Sequence, residues 1–244
     1  MTLHACERPP IGKDAKAVLA FLIFTLIASA QLGGYLVFEH GADKAQMAYM
    51  SFWAFDFAMY GMMLLPWLPL PSLQRHTNYD RLSLMVQFWV ITYIFVAATF
   101  EVPWLLLYEK IALAENEKWA YPFWAYINGG DIRYLNPDLQ VIYSEISACV
   151  VAFFSAIAMT VWLKSGRRSA AAVYVLMFGA VTHISPTVMY YSLEIAQGFP
   201  NVDLEHPGNW LAKFTLSNSC WLWMPFVVFY WCTRTLKRLY TGQD

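Results

Sequence analysis

Residues 82–108 read LSLMVQFWVITYIFVAATFEVPWLLLY, a run from Leu82 to Tyr108 whose one charged side chain is Glu101. A helix rising about 1.5 Å per residue crosses a hydrocarbon core of about 30 Å in about 20 residues. This run is long enough. An extended strand in lipid would leave its backbone groups unpaired, so helix is the state that satisfies them.

Working outward, five more segments have the same character: Ala17 to Phe38, Met47 to Leu68, Leu139 to Leu163, Ala170 to Gln197 and Ala212 to Cys232. The chain of 244 residues is 59% hydrophobic, 18% aromatic and 14% charged, more apolar than a soluble surface allows. The expected fold is all-α, a polytopic membrane bundle of about six transmembrane helices. Lys13 and Lys16 before the first segment and Ala28-Ser29-Ala30 within it also fit a signal peptide; we take the segment as a retained helix.

Breaks are expected at Pro66, Pro69 and Pro71, at Gly198-Phe199-Pro200, and at Pro207-Gly208. The long aromatic connection from Glu109 to Asp138 is expected to fold back over the bundle. Lys and Arg favour the cytoplasmic side. With the N-terminus inside, Arg8, Lys13, Lys16, Arg75, Arg81, Lys164, Arg167, Arg168, Arg234, Lys237 and Arg238 fall on that side, eleven of the sixteen basic residues. Six spans with both termini cytoplasmic follow.

A net charge of −1 offers no field for nucleic acid. Cys149, Cys220 and Cys232 lie in apolar runs and Cys6 in the N-terminal tail, without metal-ligand spacing, so neither a disulfide framework nor a metal site is expected.

Within the apolar runs sit Asp56, Glu101, Glu145, Glu194, His183 and Asn218. Ionisable groups at membrane depth usually face the bundle interior and mark a site. Glu194, close to Gly198, and Glu145, near its helix start, fit a headgroup contact as well. Glu101 is the deepest, and Trp104 at i+3 is expected on its face. A neutral carboxylic acid in a dry pocket can protonate an alkene. Asn218 and Trp221 form a second i, i+3 pair, suited to hold a polar group and to stabilise a cation. Asp56 suits a site wall or a structural hydrogen bond, and Tyr190 a further wall. His183 reads as a packed or interfacial histidine.

Three stretches resemble the emopamil-binding protein family and its EXPERA membrane module, whose best-known member is a sterol Δ8–Δ7 isomerase. Gly130-Asp131-Ile132-Arg133-Tyr134 with Asp138 and Glu145 is similar to the family's G-D-x-R-Y-x3-D-x6-E pattern. His206-Pro207 followed by Asn218-x-x-Trp221-x3-Pro225 resembles its H-P and N-x-x-W-x3-P ending. Glu101 with Tyr108-Glu109 resembles the end of its catalytic helix. The likeness covers roughly Leu82 to Arg234; the family usually has five spans, so the first helix is additional. It divides the chain into an N-terminal transmembrane region at 1–81, an EXPERA-like domain at 82–235 and a short polar tail at 236–244.

The resemblance implies that Glu101 and Glu145 are the acid and base carboxylates. Asn218 and Trp221 would line the pocket, with Asp131, Arg133, Tyr134 and Asp138 in support. One departure is Ala97, where the isomerase has a histidine one turn before its catalytic glutamate. The implied function is an isomerase shifting a double bond in a sterol- or terpenoid-like lipid. A terpenoid cyclase started by the same protonation and a non-enzymatic lipid binder stay open. The reading calls for membrane lipids as surroundings, needs no cofactor, excludes nucleic acid and admits a homodimer. An endoplasmic reticulum membrane and a bacterial inner membrane both fit.

Overall fold

The computed structural model describes residues 10–242; Cys6 and Arg8 lie outside the described residues. Each of the six expected segments is a helix, and the described residues contain no strand. The long helices are α1 (Lys13–His40), α2 (Lys44–Leu64), α3 (Asn78–Val96), α4 (Val102–Ala112), α6 (Leu139–Lys164), α7 (Ala170–Gln197) and α8 (Ser217–Thr241). A short α5 (Tyr121–Ile127) lies in the long connection.

Helix boundaries follow the polar punctuation of the sequence. Asp43, Asp138 and Ser169 accept hydrogen bonds from the first-turn amides of α2, α6 and α7. Thr77 and Asp80 close a reciprocal capping box on α3. At the C-termini of α1 and α7, Gly41 (φ 65°) and Gly198 (φ 76°) adopt the left-handed conformation that lets orphan carbonyls be capped.

Among the described residues, four stretches are long and apolar enough to cross a membrane: Lys13–His40, Asn78–Ala112, Leu139–Lys164 and Ala170–Gln197. The chain is therefore a multi-pass helical membrane bundle. Helices α2 and α8, with 21 and 25 residues, have the length but a more polar composition. Asp56 interrupts the first, while Asn218, Arg234, Lys237 and Arg238 interrupt the second. Large apolar side chains such as Phe24 (69% exposed) and Phe178 (73%) point outward, where lipid takes the place that water has around a soluble domain.

Packing inside uses small residues at close approaches, as expected where helices cannot be driven together by water. A Cβ on Gly33 would come within 2.4 Å of Ser51 Oγ, and one on Gly61 within 2.7 Å of Leu22. The same α1–α2 contact is tied by the Ser51 hydroxyl, which donates to the Ser29 carbonyl at 2.9 Å.

Two helices carry π-helical turns, which the hydropathy pattern did not announce. Pro103 has no amide to donate to the carbonyl of Thr99, and the turn just before it, Ala97–Glu101, is π-helical, with the Val102 amide reaching back to Ala97. A second π segment, Gly208–Leu216, leads directly into α8.

A six-span arrangement puts both ends on one side. Single cysteines at Lys16 and Lys237, introduced with Cys6 replaced, should react with an impermeant thiol reagent from the same face of oriented vesicles. Labelling from opposite faces would require an odd number of crossings.

Candidate functional site

A cavity of about 300 Å³ lies inside the bundle, at the small end of ligand-pocket sizes. Its walls come from every long helix except α4, from the π turn Ala97–Glu101, and from α5, the element through which the long connection folds back inward. Glu101, Glu145, Asn218, Trp221, Tyr134 and Tyr190 all line it. The remainder is mainly apolar and aromatic, with Phe52, Phe55, Phe95 and Phe100 prominent. Ile27 lines the cavity while 51% exposed, and Gln31 and Thr99 are exposed lining residues beside it. These positions fall near the middle of their helices, so the opening faces lipid.

Glu101 ends the π turn and is buried. The Cys149 thiol lies 4.0 Å from its Oε2. Glu145 is buried on α6; Oε1 accepts a short hydrogen bond from the Tyr134 hydroxyl, and Oε2 has no partner among the described residues. Burial and then the charge of Glu145 push the Tyr134 hydroxyl well above the ordinary phenol range, so it remains a donor. The headgroup alternative for Glu145 is therefore corrected.

The Gly130–Tyr134 motif supports that contact. Gly130 passes so close to the chain that a Cβ would sit 2.3 Å from the Tyr126 carbonyl oxygen. Asp131 is fully buried and accepts from Arg133 Nε (3.0 Å) and Nη2 (2.7 Å). Nη2 also lies 3.1 Å from Glu194 Oε1, and the guanidinium sits 5.0 Å from the Tyr190 ring centroid. Burial alone would favour losing the Arg133 proton, but hydrogen bonds and charge from Asp131 outweigh it and hold the group above its ordinary value. Glu194 is thus an interior partner of Arg133 and Asn201, not a headgroup contact. Asp138 acts one step further out, capping α6 through the Val141 amide at 2.9 Å.

Asn218 donates to the Tyr126 hydroxyl at 3.2 Å and the Phe214 carbonyl at 2.8 Å, and Tyr126 in turn contacts the Tyr190 hydroxyl at 3.1 Å. Trp221 packs in an aromatic group with Trp89 (4.5 Å), Tyr93 (5.0 Å) and His183 (5.7 Å).

Two expected wall residues stand elsewhere. Trp104 is fully buried but off the cavity: its indole N–H donates to the Tyr134 carbonyl at 3.1 Å, with rings 4.7 Å apart. Beyond the π turn, α4 carries the indole toward the connection at Tyr134 and not into the cavity. Asp56 lies behind the wall, accepting from the Ser217 hydroxyl at 2.8 Å, and Ser217 is the one that lines the cavity. In the other direction, His183 is a buried wall residue that the sequence reading left as packing. Its seven-residue spacing from Tyr190 puts both on the buried face of α7 and was the available signal; its partner, Tyr93, comes from another helix.

No protein-family model matches the chain. In comparison with known proteins, the chain is similar to the 3-beta-hydroxysteroid-Delta(8),Delta(7)-isomerase of Rattus norvegicus, with 25% identity over 126 residues. That covers 51% of this chain and 53% of the rat protein, so the likeness spans about half of each. It marks a distant relationship.

Because Arg133 holds two buried carboxylates, removing it should strand both. Arg133→Met is expected to lower stability by about 3–5 kcal/mol, measured as an earlier loss of helical signal in a detergent denaturation series. An unchanged transition would mean that Asp131 and Glu194 have other partners.

Proposed function

We propose that this protein is a membrane-embedded isomerase that moves a carbon–carbon double bond in a sterol- or terpenoid-like lipid. The observation that carries the reading is the pair of buried carboxyls, Glu101 and Glu145, on one largely apolar cavity that opens sideways to lipid. The distant likeness to a sterol isomerase supports it.

In this reading the lipid enters past Ile27, Gln31 and Thr99 with its double bond between the two carboxyls. Glu101, in its neutral form, gives a proton to one alkene carbon, leaving a carbocation on the other. Glu145, ionised, takes a proton from the adjacent carbon on the far side, and the electron pair of that C–H bond becomes the new double bond. Glu145 suits the base role because Tyr134 donates a hydrogen bond to it. Glu101 suits the acid role because it has a weak thiol neighbour in place of a strong donor. Two carboxyls in different surroundings are a general device for such a division of labour. Trp221, backed by Trp89 and Tyr93, offers a π face for the cation. Trp104 acts indirectly, by holding the Tyr134 backbone. Asp131, Arg133 and Asp138 position Tyr134 and α6.

A second reading keeps the first protonation and lets another alkene of the lipid trap the cation, which makes a cyclase. The aromatic wall of Phe52, Phe55, Phe95 and Phe100 favours it, since a migrating cation needs π faces along its path. Product structure separates the two, because an isomerase conserves the number of double bonds and a cyclase exchanges one for a ring.

Glu101→Gln keeps size and polarity but cannot donate a proton to carbon. It should reduce turnover by about 10²–10⁴-fold or more, with lipid binding retained. Assays of conversion and of equilibrium binding on the same preparation check this. Joint loss of binding and turnover, or full activity in the variant, would contradict the acid role, and unaltered lipid from the wild type would favour a binder.

A further inference from the structure

The cavity volume of about 300 Å³ is too small for a whole sterol. An apolar protein cavity of about 150 Å³ takes up one benzene ring, so this one encloses about two six-membered rings. A sterol has four fused rings and a branched tail. Part of it must stay outside the walls, and the fold provides a place for that part.

The mouth lies between α1 and the π turn Ala97–Glu101. Toward the N-terminal end of α1, Leu22 and Leu26 share an apolar cluster with Leu84 and Phe88 of α3, and Phe95 packs against it. Toward the other end, α1 is closed against α5. A Cβ on Gly33 would lie 2.9 Å from the Tyr121 hydroxyl, and one on Gly34 would lie 3.2 Å from the Tyr121 ring. Between these two closures Ile27, Gln31 and Thr99 line the cavity and are exposed. One side of the mouth is thus built by α1, the helix that the sequence resemblance marks as additional.

Which end of the lipid stays outside follows from where the reacting carbons sit. Glu101 and Glu145 are buried wall residues, so the double bond has to pass the mouth to reach them. In a Δ8-unsaturated sterol that bond lies at the fusion of rings B and C. Inserted from the ring A end, rings A and B bring it inside, which matches the two rings that the volume admits. Inserted from the tail end, the whole tail and rings D and C would have to enter, which exceeds it.

We infer that the lipid inserts ring end first, with its tail left in the bilayer between α1 and the π turn, so that this site selects substrates by ring structure and accepts tails of any length. The inference rests on the isomerase reading for the position of the double bond.

The test is conversion by the full chain in lipid nanodiscs, with each lipid expressed as a mole fraction of the disc. The probes are a Δ8-unsaturated 3-hydroxysterol, the same sterol without its tail, one with a bulky fluorophore at the tip of the tail, and one with that fluorophore joined through the ring A oxygen. The first three should agree in kcat/KM within about threefold, while the ring A conjugate should lose about 100-fold or more, since an enclosed pocket already discriminates single methylenes. Ile27→Trp, which narrows the mouth, should slow the tail conjugate about 10-fold more than the tail-less sterol. A blocked tail conjugate, or a tail-less sterol that is no longer converted, overturns the inference and leaves the isomerase reading standing. A ring A conjugate converted as well as the parent overturns it too, by reversing the direction of entry. Equal slowing of both lipids by Ile27→Trp removes the tail from the α1 mouth. If none of the four is converted, the isomerase reading falls and this inference with it.

Discussion

Arg133 reaches two carboxylates, Asp131 and Glu194, that are both buried, and the position of the candidate base depends on that clamp. Charges taken out of water are tolerated only when paired with good geometry. Asp131 sits in the connection before α6 and Glu194 at the end of α7, so the guanidinium fastens the connection to the bundle. Tyr134 follows Arg133 by one residue and donates to Glu145, while Tyr190 lies beneath the guanidinium plane and touches Tyr126. From Tyr126 the chain of contacts continues to Asn218. One ion cluster outside the apolar wall therefore sets the orientation of groups contributed by α5, α6, α7 and α8.

The cavity itself depends on departures from regular helix. Glu101 lies at the end of one π turn, and Asn218 and Trp221 follow another at the start of α8. An inserted residue widens the turn and shifts the faces of the helix on either side, so that polar groups can be aimed inward without moving the whole helix. Pro103 accompanies the first of these, by withholding an amide from the ladder.

Much of this was legible in the sequence, and the rest was hidden for identifiable reasons. All six expected segments are helical, but only four of the helical stretches are long and apolar enough to cross a membrane, and proline, glycine and capping residues mark their ends. The Gly130–Glu145 and Asn218–Pro225 motifs contain Tyr134, Glu145, Asn218 and Trp221, which line one cavity, while Asp131, Arg133 and Asp138 stand behind it. Trp104 was misplaced because its indole is taken up by Tyr134, a partner from the connection 30 positions away that spacing on the helix does not reveal. Asp56 was hidden by Ser217, which stands between it and the cavity and comes from a helix 161 positions away. Glu194 near a helix end fits a headgroup contact in sequence; only the fold brings Arg133 to it. His183 looked isolated because Tyr93, its partner, is 90 positions distant.

The distant likeness to a sterol isomerase, the two carboxyls on one lipid-facing cavity and the aromatic surroundings of Trp221 combine into an account in which a proton from the protein enters the lipid skeleton. Carbon–hydrogen bonds do not exchange with water on their own, so the isotope in the product records that step directly. The decisive measurement is incubation of the full chain with a Δ8-unsaturated sterol in deuterated water, followed by mass and NMR analysis of the lipid. The account predicts a shifted double bond with one deuterium on the carbon that received the proton. A converted lipid without deuterium, or a sterol recovered unchanged and unlabelled, would contradict it.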